Sequence, residues 1–122
     1  VSGEDFYSDP WRIAEILRNL VSNAIKYRRL DVAETLITVD INTNQKESLI
    51  IFRDNGWGIE KQRMGRIFEM FYRASNQSDG SGLGLYIVKN ALDKLSGLIT
   101  VESEPDVGTT FKITVPNQVL SK

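Results

Sequence analysis

The run Gly80-Ser81-Gly82-Leu83-Gly84-Leu85-Tyr86-Ile87-Val88-Lys89 opens into an apolar series, Leu83, Leu85, Ile87, Val88, Ala91, Leu92 and Leu95, at helical spacing. Three alternating glycines ahead of such a helix leave bare backbone N–H groups where its partial positive charge collects, and phosphate is the natural guest. Upstream, Arg53-Asp54-Asn55-Gly56-Trp57-Gly58-Ile59 ends an apolar run with a carboxylate and two glycines. Two familiar phosphate motifs are excluded. A dinucleotide fingerprint needs Gly-x-Gly-x-x-Gly directly after a strand, whereas 74–79 is polar loop, and no Gly-Lys-Ser or Gly-Lys-Thr occurs for a P-loop.

The 122 residues are 41% hydrophobic and 25% charged, enough for one ordinary core and too few for two, so 1–122 is expected to form a single α/β domain. Fifteen basic against sixteen acidic residues leave a net charge of −1, which points away from nucleic acid and from direct contact with an anionic membrane. There is no Cys, which excludes disulfides and thiolate chemistry and fits a reducing, cytoplasmic setting. There is no His either, which removes the commonest general base and any histidine phospho-acceptor. The longest unbroken apolar run is 49–52, far short of a membrane span, and the chain opens on Val1 as expected of a piece of a longer polypeptide.

Asp9-Pro10 is a helix start, and Ile13, Ile16, Leu17, Leu20 and Ala24 then recur at helical spacing to about Arg28. Residues 36–41 and 48–53 read as a hairpin turned at 42–47, 61–71 as a short helix, and 83–95 as a long helix capped by Gly97. A second hairpin, 98–102 with 109–115, turns at 105–108. This order predicts a sheet covered by helices on one face, and the polar segment 75–81 is expected to be mobile.

Asn19, Asn23, Lys26 and Tyr27 form one stripe beside the apolar arc of the first helix. An interior Asn costs a helix about half a kcal/mol relative to Ala, so two of them ask for a function. A neutral amide oxygen suits Mg²⁺, which fills its remaining positions with phosphates and water, and Lys26 can face the same phosphates. A carboxylate at Asp54 can accept from the exocyclic amine of adenine, whereas guanine presents an acceptor oxygen at that edge. The same Asp-Asn-Gly sequence also serves as a plain tight turn, and Trp57 reads as a packing residue.

In order, 19–27 (Asn-Leu-Val-Ser-Asn-Ala-Ile-Lys-Tyr), 54–59 (Asp-Asn-Gly-Trp-Gly-Ile), 67–73 (Ile-Phe-Glu-Met-Phe-Tyr-Arg), 80–89 and 108–111 (Gly-Thr-Thr-Phe) resemble the N box, first glycine box, F box, second glycine box and terminal Gly-Thr element of the ATP-binding catalytic domain of bacterial sensor histidine kinases. The resemblance implies the Bergerat α/β sandwich, a mixed sheet of about five strands covered on one face by three helices. It implies ATP with Mg²⁺ on Asn23, phosphate contacts from Lys26, Tyr27 and Arg73, and adenine read by Asp54. Asn19, Gly56, Gly58, Ile59 and Thr109 join the nucleotide contacts. Gly80, Ser81, Gly82, Leu83, Gly84 and Leu85 cradle phosphate beneath a lid anchored by Phe68 and Phe71. Asn23, Lys26 and Arg73 are the residues expected at the reacting phosphates. The terminal element departs from the common Gly-x-Gly-Thr by carrying Asp106, a residue that tolerates turn geometry.

The implied activity is transfer of the ATP γ-phosphate to a histidine on a separate dimerisation domain, and from there to a response regulator receiver domain. A conformational ATPase of the gyrase or chaperone type shares the fold and the boxes. Such ATPases carry a Glu one turn before the metal-binding Asn, where this chain has Asn19.

Overall fold

The computed structural model describes residues 1–69 and 83–118. In chain order the elements are β1 (Ser2–Gly3), α1 (Pro10–Lys26), β2 (Ile37–Thr43), β3 (Glu47–Asp54), a 3₁₀ helix (Lys61–Arg66), α2 (Gly84–Lys94), β4 (Leu98–Glu104) and β5 (Gly108–Pro116). The strands form one mixed sheet ordered β1-β2-β3-β5-β4, with β1 parallel to β2 and every other pair antiparallel.

Period-two alternation sorts the sheet into two faces. On one face the cross-strand rows are Ile41, Ile50, Ile113, Ile99 and Val39, Phe52, Phe111, Val101. Against these rows pack Ile16, Leu20 and Ala24 of α1 and Val88, Ala91 and Leu92 of α2, all buried. The opposite face carries Leu49, Ile51, Arg53, Thr110 and Lys112, and among the described residues no helix packs on it in the core cluster. Helices on one face and a mixed five-stranded sheet are the expected Bergerat arrangement.

Local chemistry fixes the boundaries. The Asp9 carboxylate caps α1 by accepting from the N–H groups of Trp11 and Arg12 at 2.9 and 3.2 Å, with Pro10 in the first turn. The helix stops at Lys26, two residues short of the expected Arg28, because the Tyr27 carbonyl turns to accept the Trp57 N–H at 3.0 Å. The first hairpin turn shrinks from the expected 42–47 to 44–46. Asn44 Oδ1 accepts the N–H groups of Lys46 and Glu47 at 2.8 and 2.9 Å and so replaces backbone pairing. Residues 61–66 wind as a 3₁₀ rather than an α-helix. Ser96, not Gly97, takes the left-handed conformation that closes α2, at φ 58°. The two-residue β1 is too short to leave a pattern and was not anticipated.

Phe68 packs edge-on against Phe111, with centroids 6.5 Å apart, and so belongs to the margin of the core. Phe71, Arg73, Gly80, Ser81, Gly82 and the expected mobile segment lie outside the described residues. Among the described residues, no helix is long and apolar enough to cross a membrane.

Phe52 is fully buried whereas Leu49, on the other face of the same strand, is 37% exposed. Phe52→Ala is expected to cost about 3 to 5 kcal/mol in denaturant unfolding, and Leu49→Thr about 0.5 kcal/mol or less.

Candidate nucleotide site

Asp54 continues the buried alternation of β3 and so points its carboxylate to the helix side of the sheet. Its cross-strand row is Ile37, Asp54, Thr109, Ser103, the polar row that ends the apolar core. Asp54 Oδ1 accepts the Gly56 N–H at 2.9 Å. Burial raises the Asp54 carboxyl above the ordinary carboxylate range, opposed by backbone donors from Gly56 and Thr109. The Thr109 side chain is engaged locally, its hydroxyl 2.9 Å from Ser103 Oγ. Ser103 Oγ also accepts the Ile59 N–H at 2.7 Å and donates to the Gly108 carbonyl. Ser103 escaped the sequence reading; the alternation of β4 turns it inward but says nothing of its partners.

The loop after Asp54 is fastened on three sides. On α1, the Tyr27 carbonyl holds Trp57, and a Cβ on Gly56 would lie 2.6 Å from that oxygen. On the β4–β5 turn, the Asp106 N–H donates to the Trp57 carbonyl at 2.6 Å. Gly58 sits at φ 76°, where a Cβ would meet the Glu104 carbonyl at 2.2 Å. On the α1–β2 connection, Asn55 exchanges side-chain hydrogen bonds with the backbone of Glu34 and Leu36 at 2.8 Å. The missing side chains at 56 and 58 are thus explained by close approach to protein backbone. Asn55, which reads as turn chemistry alone, is a side chain that ties the loop to the α1–β2 connection.

The stripe on α1 leads away from this loop. Tyr27 and Asn23 are half-buried and Lys26 is exposed in the last turn, where a cation also complements the helix dipole. Two turns back, Asn19 donates Nδ2 to the Glu15 carbonyl at 2.8 Å. Its Oδ1 faces the start of α2, where a Cβ on Gly84 would stand 3.6 Å away. Leu83, at the N-cap of α2, makes no capping hydrogen bond with its side chain and is half-buried, and Leu85 packs on the core. Residues of both glycine runs therefore meet the same helical stripe, at points separated by about 12 Å of helix rise. Trp57, 48% exposed, lies under the Arg29 guanidinium and packs as a surface residue.

A family model, histidine kinase-, DNA gyrase B- and HSP90-like ATPase, matches residues 8–119. The heme sensor protein HssS of Staphylococcus saprophyticus is 38% identical over 100 residues, 82% of this chain and 21% of that protein. The autoinducer 2 sensor kinase/phosphatase LuxQ of Vibrio harveyi is 36% identical over 118 residues, 92% of this chain and 14% of that protein. Among solved structures, the mycobacterial sensor histidine kinase MprB superposes with a TM-score of 0.78 at 26% identity, covering 94% of this chain and 78% of that one. Full-length ShkA in complex with AMPPNP gives 0.77 at 27% identity, covering 96% of this chain and 24% of that one. The chain spans about a fifth or less of the length of these two curated relatives. With sensor kinases as its relatives and histidine kinase domains as its structural neighbours, the chain belongs to the histidine kinase-, DNA gyrase B- and HSP90-like ATPase family and is an ATP-binding catalytic domain of the sensor histidine kinase type.

Proposed function

We propose that residues 1–122 bind ATP with adenine at Asp54 and triphosphate along the Asn19–Asn23–Lys26 stripe toward α2. In the whole kinase the chain would present the γ-phosphate to a histidine on a dimerisation domain, and a receiver domain would take the phosphate onward. The observation that carries this reading is Asp54, a carboxylate at the end of the buried face of β3 and held by two backbone N–H groups. An ionised group there accepts the adenine amine and repels the guanine carbonyl. The start of α2, where the Leu83 side chain makes no cap, suits an anion, and Gly84 and Leu83 would supply N–H donors. Leu85 would back them, while Tyr27, Gly56, Gly58, Ile59 and Thr109 would shape the walls around the nucleotide. Arg73, Gly80, Ser81 and Gly82 complete the set on sequence grounds alone.

The donor set fits Mg²⁺. Asn23 is half-buried on the phosphate stripe, and a neutral amide is the kind of single protein oxygen this ion accepts beside phosphates. Bound there, the ion would neutralise charge on the phosphate oxygens. Asn23 would hold it, Lys26 would steady the phosphates, and Asn19, fixed by the Glu15 carbonyl, would keep its own oxygen toward α2. Hydrolysis needs a water deprotonated in line, and an amide at position 19 cannot do this.

Calorimetric titration tests the two assignments. Asp54→Asn is expected to weaken ADP by about 1.5 to 3 kcal/mol, the range for a charge-assisted hydrogen bond, while Asn23→Ala loses the Mg²⁺-dependent tightening of ATP. Equal ADP affinity in Asp54→Asn, or equal Mg²⁺ dependence in Asn23→Ala, contradicts the corresponding role.

The raised carboxyl of Asp54 adds a pH signature. The folded chain holds this proton to higher pH than the unfolded chain, so the associated stability is full below the ordinary carboxylate value and lost as pH rises through the folded value. At pH 7, Asp54→Asn should unfold at or above the parent's temperature, and acidification should close the gap. Nucleotide binding runs the other way, with the parent's ADP affinity falling on acidification at a higher pH than an ordinary aspartate would give.

Having no histidine, the chain cannot form phosphohistidine on itself. It is expected to turn ATP over very slowly and to label a histidine-bearing dimerisation domain supplied in trans. Brisk hydrolysis abolished by Glu15→Gln would favour the conformational ATPase instead.

A further inference from the structure

We propose that Arg29 is a positioning residue for the adenine-reading loop. The assignment rests on the nucleotide reading above. Arg29 lies in the connection leaving α1. Its guanidinium makes a two-pronged pair with Asp31, Nε to Oδ1 at 2.9 Å and Nη2 to Oδ2 at 2.6 Å. Nη1 donates to the Asp106 carbonyl, and Cζ stands 5.4 Å from the centroid of the Trp57 ring. The backbone closes a circuit through the same residues. Asp106 donates its N–H to Trp57, and Trp57 donates its N–H to Tyr27, two residues before Arg29. One guanidinium thus clasps the α1–β2 connection, the loop after Asp54 and the β4–β5 turn.

The clasp is suited to arginine. A planar fork meets the carboxylate with two donors, keeps a third for a carbonyl and stacks on the indole, a combination an ammonium cannot reproduce. The Arg29 side chain is only 20% exposed beside an Asp31 that is 55% exposed, so the fork is covered by the groups it holds. Asp106 presents its carbonyl from a left-handed conformation, φ 65°, a geometry uncommon for a residue other than glycine. The route to the nucleotide is short. Arg29 holds Trp57, and the preceding residue, Gly56, gives Asp54 Oδ1 its N–H. Releasing the clasp lets that N–H move, and the carboxylate loses the orientation in which it meets the base.

Titration of ADP into the 122-residue chain and its variants tests this. Arg29→Ala is expected to weaken ADP about three- to tenfold, and Arg29→Lys similarly, because charge without the fork does not restore the clasp. In the Asp54→Asn background Arg29→Ala should add no further loss, since both changes act on one hydrogen bond. With Trp11→Phe leaving Trp57 as the sole indole, Arg29→Ala should also shift the emission of the nucleotide-free chain. Should Arg29→Ala not fold, Asp31→Asn, which removes the anion from the fork, carries the same expectations. Undiminished ADP affinity in Arg29→Ala overturns the proposal. So do losses that add to those of Asp54→Asn and are rescued by Arg29→Lys, which would mark a direct phosphate contact. A parent chain that does not bind ADP would overturn the nucleotide reading and this proposal together, whereas a binding parent with an indifferent Arg29 overturns this proposal alone.

Discussion

The approach of Gly56 to the Tyr27 carbonyl is the constraint on which the site depends. A methyl group on residue 56 would press within 2.6 Å of that oxygen, so the end of α1 and the loop after β3 can meet only if the residue is glycine. The meeting fixes three things at once. It ends α1 at Lys26, holds Trp57 by its N–H, and leaves the Gly56 N–H aimed at the Asp54 carboxylate. That carboxylate is costly to bury, as its raised affinity for a proton indicates. Its two backbone donors offset part of the cost, and in the proposed reading a ligand that donates a hydrogen bond would relieve the remainder.

The chain thereby accepts a less stable free state in exchange for a prearranged acceptor. Functional sites are where burial and fixed donors are set against each other in this way. Across the stripe the logic differs. At the start of α2 the partners in the proposed reading are backbone donors rather than an acceptor, and the ligand suited to them would be an anion. A nucleotide carries both partners, a donor on its base and anions on its tail. The conformational ATPase reading lacks comparable support on α1, where Asn19 spends its amide donor on the Glu15 carbonyl and offers no base.

Much of the fold was legible because its signals are local. Apolar spacing located α1 and α2, and β-branched or apolar runs with their turn residues located β2 through β5, with errors of one or two residues at most strand and α-helix ends. Those errors arose where side chains or distant backbone override the local pattern, as Asn44 does at the first hairpin and Tyr27 does at the end of α1. Asp54, Asn19 and Gly84 could be singled out by residue type and position alone. Ser103, Asn55 and Arg29 could not, because their significance lies in partners far away in sequence, such as the 44 residues between Ser103 and Ile59 or the 77 between Arg29 and Asp106. No periodicity encodes such pairings.

The most direct test of the account is a crystal structure of the 122-residue chain with ADP bound. The account predicts the exocyclic amine of adenine within about 3 Å of an Asp54 carboxylate oxygen, with the phosphates running along α1 toward the first turn of α2. A base stacked on Trp57 at the surface, with the Asp54 carboxylate still facing only Gly56 and Thr109, would contradict it.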